Sequence, residues 1–399
     1  MKVLLVGSGG REHALAWRLT QAPTLTELHA APGNPGIAAL GTCHPVRAED
    51  ADGLLDLASS IDADLVVVGP EAPLVAGVAD ELRRLGHAVF GPSRAAARIE
   101  GSKSFAKDVM RAAGVPTAEA LSVARAPCVI KADGLAAGKG VFVCREQREL
   151  DDALRAVAAF GDAIVIEELL EGEEISAFAL CDGARAIALP AAQDFKRIGD
   201  GDEGPNTGGM GSYSPVAADA DELVETIHQP VLDELAARGT PFVGVLFAGV
   251  LVTADGPRVL EFNCRFGDPE TQSLLPRIEG DVLELLAAAA HGDLSDATVE
   301  VADNAAVTVV LAARDYPAAG DAGSAIDGIA DAEAAGAFVF HAGTALHGDR
   351  IVTNGGRILD VTATGTTVAE ARDRAYAACE SITFPGMRYR RDIAAVAHV

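Results

Sequence analysis

The sequence predicts a multidomain protein that combines α/β and α+β architecture, and three observations carry that expectation. The first hundred residues alternate short apolar runs with helical patterns, the signature of a parallel sheet covered on both faces. The middle of the chain holds a strand, a glycine-rich loop and a second strand, and further on a hairpin whose returning strand alternates apolar and polar residues. Finally, 399 residues are roughly two to three times the usual domain size, so several cores are expected.

In the N-terminal part, apolar strands are predicted at 2–6, 27–31, 65–69 and 88–91, separated by helical patterns near 12–20, 52–60 and 76–85. Such a sheet binds ligands beyond the carboxyl ends of its strands. Three loops fall there: 7–12, 32–36 and 69–73. Glycines in the first loop let a phosphate approach backbone N–H groups at a helix start. A dinucleotide fold would place an acidic residue after the second strand, where Ala31-Pro32 stands, so a small sugar phosphate fits the loops better.

Composition narrows the function. The chain is 49% hydrophobic and 23% charged, which is globular rather than disordered. A formal charge of −26 argues against a broad nucleic-acid surface, so any anion must be held by local positive charge. Six scattered cysteines lack a C-x-x-C pair, and no signal segment or run of 18 apolar residues occurs. A cytoplasmic protein with free thiols, no membrane segment and no nucleic-acid partner is expected.

The second unit opens with a sparse cation. Only six of the 32 basic residues are lysines, and Lys103, Lys107, Lys131, Lys139 and Lys196 all lie in or beside polar, glycine-bearing segments, where a compact point charge is useful. Residues 128–131 and 141–144 read as strands around the loop 132–140. A P-loop would need G-x-x-x-x-G-K-[ST] opening a helix; here the glycine spacing is one residue short and Lys139 precedes Gly140. The loop instead predicts a hairpin lid, with Lys131 on the preceding strand reaching triphosphate oxygens. Residues 164–170 read as a strand running into an apolar junction suited to adenine, with carboxylates following for ribose hydroxyls.

The hairpin at 242–266 turns at Thr253-Ala254-Asp255-Gly256. Alternation predicts that Leu260, Phe262, Cys264 and Phe266 face the core while Val259, Glu261, Asn263 and Arg265 share the other face. Glu261 and Asn263 then offer hard oxygen donors suited to Mg²⁺ on phosphates, and Arg265 follows to stabilise a transferring phosphoryl group.

These segments, in this order, resemble the ATP-grasp superfamily. VGSGGREHALAW (6–17), APGNPG (31–36), VGPEAPLVAGV (68–78), EGSKSFAKD (100–108), VIKADGLAAGKGV (129–141), PNTGGMGSYSP (205–215), EFNCRFGDPETQ (261–272), HAGT (341–344) and VTNGGR (352–357) resemble the phosphoribosylamine–glycine ligase family within it. The resemblance implies an N-terminal α/β domain at 1–100, an ATP-grasp domain at 101–296 with a lid near 115–172, and a C-terminal mixed β domain at 297–399. It implies ligation of glycine to 5-phosphoribosylamine using ATP with Mg²⁺ or Mn²⁺, by a monomer; another ATP-grasp carboxylate–amine ligase is the alternative.

Carried over by motif, Lys103, Lys131, Gly134, Gly138, Lys139, Gly140, Glu167, Glu168, Leu169, Leu170, Glu174, Lys196 and Asn206 line the nucleotide site. Glu261 and Asn263 bind metal, while Arg265 and Asp268 act on the reacting groups. Gly9, Gly10, Asn34, Glu71 and Asp194 hold substrate. The chain departs from the family pattern in two short lid links, at 122–128 and 158–163, and in Phe195, which stands where a histidine is usual.

Overall fold

The computed structural model describes residues 1–135, 140–161, 163–395 and 397. Gly138 and Lys139 therefore lie outside the described residues. The N-terminal sheet has the strand order Thr42–Cys43, Glu27–Pro32, Lys2–Gly7, Leu65–Val68, Ala88–Phe90, all parallel. Alternation along Lys2–Gly7 sends Leu4 and Val6 into one core and Val3 and Leu5 into another, so both faces need helical cover. The order reverses at Lys2–Gly7, and the three predicted loops converge beyond its carboxyl end. The helical pattern at 76–85 divides in two at Gly77, whose φ of 95° ends Glu71–Ala76 and starts Val78–Arg84.

The rest of the molecule is organised by one eight-stranded sheet. Its order is Gly256–Asn263, Val243–Thr253, Glu173–Asp182, Ala186–Asp194, Gly211–Ser214, Ala305–Ala312, Arg357–Gly365, Phe338–His341. Every pairing in it is antiparallel. The ladder between Gly211–Ser214 and Ala305–Ala312 crosses the expected boundary at 296, so the C-terminal strands extend the central sheet. Helices Gly10–Leu19 and Glu270–Leu274 pack together, and Arg18 donates to the carbonyls of Ile278 (3.0 Å) and Gly280 (2.6 Å), tying the N-terminal unit to this sheet.

A separate three-stranded antiparallel sheet, Val141–Cys144, Cys128–Ala132 and Ile164–Glu167, carries the glycine-rich loop. Its small core of Cys128, Ile130, Cys144, Leu150, Ala153 and Val157 is distinct from the two main cores. All six cysteines are free. No described helix is long and apolar enough to cross a membrane.

Candidate active site

The returning strand Gly256–Asn263 is the axis of the site, and its local geometry differs from simple alternation. Gly249 pairs with Glu261 but Val250 pairs with Val259, so Leu260 is the extra residue of a β-bulge. As a result Val259 turns into the core at 0% exposure, contrary to the alternation, while Glu261 and Asn263 keep the predicted shared face. The bulge also re-aims the Leu260 carbonyl, which accepts a 2.8 Å hydrogen bond from Lys131 Nζ.

At the lid root, Lys131 Nζ also lies 2.7 Å from Glu167 Oε2, and Lys107 Nζ lies 2.7 Å from Glu167 Oε1. Glu167 is buried, so its carboxylate is committed to these lysines and only its main chain remains for an adenine. Glu168 is likewise engaged: its N–H donates to the Glu119 carbonyl at 3.0 Å and its Oε1 accepts from Glu119 N–H at 2.8 Å. Leu169 and Leu170 follow, half-buried. Lys103, at the start of helix Lys103–Ala113, donates to the Gly134 carbonyl at 3.1 Å, and Gly140 accepts from Ala132 N–H at 2.8 Å. The near end of the lid loop is thus tied to the helix carrying two of the six lysines.

Below the lid, acidic groups predominate. Glu174 and Lys196 form a direct ion pair, and Asp194 lies 3.5 Å from the same ammonium. An added Cβ on Gly249 would lie 3.6 Å from Glu261 Cγ and 3.7 Å from Glu174 Oε1, so both carboxylate side chains flank that glycine. Burial pushes the Asp194 carboxyl up to about 7 against the pull of Lys196. Burial acts against the Lys196 charge, but Asp194, Glu174 and Glu261 outweigh it and hold the ammonium well above its ordinary value. Asn206 ends the hairpin Arg197–Gly199 and Glu203–Asn206 that follows Lys196. Phe195 packs under the Arg390 guanidinium, 4.9 Å from ring centroid to Cζ.

Beyond Asn263 the chain meets the N-terminal unit. Arg265 lies 3.4 Å from Glu71 Oε2 through Nε and 3.4 Å from Glu100 Oε1 through Nη2. Glu100 Oε2 accepts from Cys264 N–H at 2.8 Å. Burial raises the Glu100 carboxyl more than Arg265 lowers it; for Glu71, Arg265 and Arg11 outweigh burial and bring it below the usual range. Asp268 accepts from Arg357 Nη2 at 2.8 Å and from Gln272 Nε2 at 2.9 Å. Burial pushes Asp268 up, but Arg357 and Arg11 hold it below the ordinary carboxylate value. Asp268 is therefore suited to ordering this loop and poorly suited to taking a proton.

Two of the residues expected to hold substrate have other commitments. Asn34 caps helix Pro35–Ala38 through Oδ1, and its Nδ2 donates to the carbonyls of Ser8 (2.9 Å) and His341 (2.7 Å). Its buried side chain shapes the loop instead of facing it. The Gly9 N–H is taken by Glu12 Oε2 at 2.6 Å, leaving close backbone approach as its contribution. Gly10 has no room for a side chain, since a Cβ there would lie 1.7 Å from Asp360 Oδ2.

Glu100, Gln272, Glu270 and Arg357 each lie in one of the motifs above, yet nothing in their local pattern marks them as site residues. Asp360 lay outside all of them; its one signal is an acid within the apolar run Arg357–Gly365. Glu270 accepts from Ser176 Oγ at 3.2 Å, and burial raises its carboxyl.

A lid sheet closing over an antiparallel sheet that presents lysines, a carboxylate and an amide is the arrangement of the ATP-grasp ligases. The fold is shared with the biotin carboxylase domain of 2-oxoglutarate carboxylase from Hydrogenobacter thermophilus, at a TM-score of 0.71 and 19% identity over 97% of this chain and 91% of that one. Family models for the phosphoribosylglycinamide synthetase N domain, ATP-grasp (A) domain and C domain match residues 1–100, 101–271 and 306–396. A phosphoribosylamine–glycine ligase from Streptomyces coelicolor is 52% identical, with 100% of this chain and 99% of that protein covered. One from Mesorhizobium japonicum is 50% identical over 98% of this chain and 97% of its own length. The crystal structure of the Thermotoga maritima phosphoribosylamine–glycine ligase superposes with a TM-score of 0.83 at 34% identity, covering 98% of this chain and 100% of that one. The chain belongs to the phosphoribosylglycinamide synthetase family.

Proposed function

We propose that the protein carries out a step of purine synthesis in which ATP, glycine and 5-phosphoribosylamine give glycinamide ribonucleotide, ADP and phosphate. One observation carries the reading. Within five residues, 261–265, the chain passes from the acidic face below the lid to Arg265 and the loops of the N-terminal sheet, so nucleotide and sugar-phosphate sites adjoin. The match to ligases of this name along the whole chain supports it over another carboxylate–amine ligase.

Glycine's carboxylate is a poor electrophile. Transfer of the γ-phosphoryl group to a carboxylate oxygen makes glycyl phosphate and releases ADP. The amine of phosphoribosylamine then attacks the carbonyl carbon, the C–O bond to phosphate breaks, the amide forms and the amine loses a proton. No covalent protein intermediate is required, so the enzyme's contribution is placement and charge stabilisation. Lys103 and Lys131, with the lid glycines, are assigned to the phosphates. The main chain at 167–170 is assigned to adenine and Glu174 to ribose. Arg265 is assigned to the transferring group, while Asp268 orders its loop. Gly9, Gly10 and Glu71 border the sugar-phosphate loops, with Asn34 shaping them.

Mg²⁺ or Mn²⁺ fits the residues present. Glu174, Asp194 and Glu261 act on the Lys196 cation, leaving excess negative charge, and Glu261 and Asn263 are hard oxygen donors on one face. Glu261 and Asn263 would supply two ligands, and oxygens of the nucleotide phosphates or water would supply the rest. When bound, the ion would neutralise phosphate charge at Glu261 and Asn263. The proposed unit boundaries along the chain are residues 100 and 296, although the central sheet runs on past the second, and the proposed protein is a cytoplasmic monomer.

ADP release is expected only with glycine and phosphoribosylamine together; equal ADP formation without either would refute the assignment. Glu261→Ala should abolish turnover with the thermal melt preserved, whereas near-normal activity would move the metal site elsewhere.

A further inference from the structure

Lys107 has no part in the scheme above, yet it is one of the most completely bonded cations in the molecule. It is 7% exposed, and its Nζ is surrounded by Glu167 Oε1 (2.7 Å), Thr117 Oγ1 (2.8 Å) and the Ala118 carbonyl (2.6 Å). Three acceptors match the three protons of an ammonium. Lys131, at 5% exposure, meets the other oxygen of the same carboxylate and the Leu260 carbonyl, so among the described residues two of its three donors are used. Two buried cations therefore share one buried anion, and the cluster carries a net charge of +1 at the root of the lid. The neighbouring Glu168 carboxylate also pulls on Lys107, but it is partly exposed and bonded to Glu119 N–H, so its pull is weaker than that of the buried Glu167.

A net buried charge is costly unless another charge completes it. An anion arriving at the third donor of Lys131 would do so. We infer that Lys107 is a positioning residue for nucleotide binding: by occupying Glu167 Oε1 it leaves Lys131 with charge to offer the ATP phosphates. This rests on the proposed placement of ATP at Lys131. With Lys107 absent, Lys131 and Glu167 would close into a neutral pair and hold the ammonium back. The same contacts explain why Lys107 carries a function while touching no ligand itself.

The test is ADP titration of the full-length protein by calorimetry. Lys107→Met should weaken ADP binding about tenfold or more, while KM for glycine changes by less than about twofold. Adding Glu167→Gln to Lys107→Met removes the trapping carboxylate and restores the +1 charge, so ADP affinity should return to within about threefold of wild type. A purely structural Lys107 predicts the reverse, a double variant as weak as Lys107→Met or weaker, and that result overturns the inference, as does wild-type affinity in Lys107→Met. If Lys107→Met does not fold by circular dichroism, Glu167→Gln alone decides. It raises the cluster to +2 and should bind ADP at least as well as wild type; an approximately tenfold loss overturns the inference. Failure of the underlying ATP placement looks different: wild type would not bind ADP, or Lys131→Met would bind it normally.

Discussion

The two cationic regions that flank the Glu261–Asn263 strand are built in opposite ways. At the lid root two lysines share one carboxylate, Glu167. At the junction with the N-terminal sheet one arginine, Arg265, is shared by two carboxylates, Glu71 and Glu100. The first cluster has positive charge to spare, while in the second the arginine is outnumbered. The difference separates two jobs that positive charge does in such an enzyme. In the proposed scheme Lys131 on the lid side meets an incoming triphosphate, whereas the planar fork of Arg265, paired with Glu71 and Glu100, joins the strand end to the N-terminal unit and would stand beside the transferring group.

The largest contrast is expected in stability. Arg265→Met takes the guanidinium from between Glu71 and Glu100, leaving Glu100 only the Cys264 N–H and Glu71 only the more distant Arg11, which should cost about 3–5 kcal/mol in urea unfolding. Lys131→Met keeps the Lys107–Glu167 pair but loses the contacts to Glu167 Oε2 and the Leu260 carbonyl, about 1–3 kcal/mol. ADP affinity should follow the opposite order, falling far more in Lys131→Met. Equal stability losses would break the comparison.

A smaller effect tests the domain junction. Gly10→Ala would place a methyl group 1.7 Å from Asp360 Oδ2, so one element must move. A loss of about 1–3 kcal/mol, with KM for phosphoribosylamine raised more than KM for ATP, is expected. An unchanged melt would show that the C-terminal strand yields easily.

The last contrast is a change of pH slope, which vanishes outside a narrow pH window. Asp360 is 1% exposed, Gln272 Nε2 reaches its Oδ2 at 2.8 Å, and its Oδ1 has no partner. Burial, with repulsion from Asp268, pushes its carboxyl up to about 7. Between the ordinary aspartate value of about 4 and that value, the native state holds a proton that the unfolded chain releases, so stability falls as pH rises through this window. Asp360→Asn removes that slope, worth at most about 1.4 kcal/mol per pH unit. Unfolding at pH 5 and pH 8 should therefore show the variant gaining on wild type at the higher pH, and parallel profiles would place the charge change elsewhere.

Much of the candidate site's geometry was legible along the chain because hairpins and alternation are local properties. Glu261, Asn263 and Arg265 follow from alternation and a turn signal, and Lys131 from a strand leading into a glycine-rich loop. The exceptions have local causes that depend on distant partners. Val259 turned inward because a one-residue bulge reset the strand, and its N–H and carbonyl are taken by Pro116 and Thr117. Glu167 was expected at adenine, yet its carboxylate is held by two lysines brought from 36 and 60 residues away in sequence. Asn34 was expected at the substrate, but it bonds to a carbonyl 307 residues distant.

Local order therefore determined what this protein is made of: a parallel N-terminal sheet, a lysine-bearing lid and a strand carrying a carboxylate, an amide and an arginine in succession. Those features depend on side-chain period, turn chemistry and the scarcity of lysine, all of which act between neighbours in the chain. Only the tertiary structure decided which charges meet. A buried charge is governed by what packs against it, and here the partners of Lys131, Arg265, Asp268 and Gly10 come from other elements, some from the opposite end of the sequence.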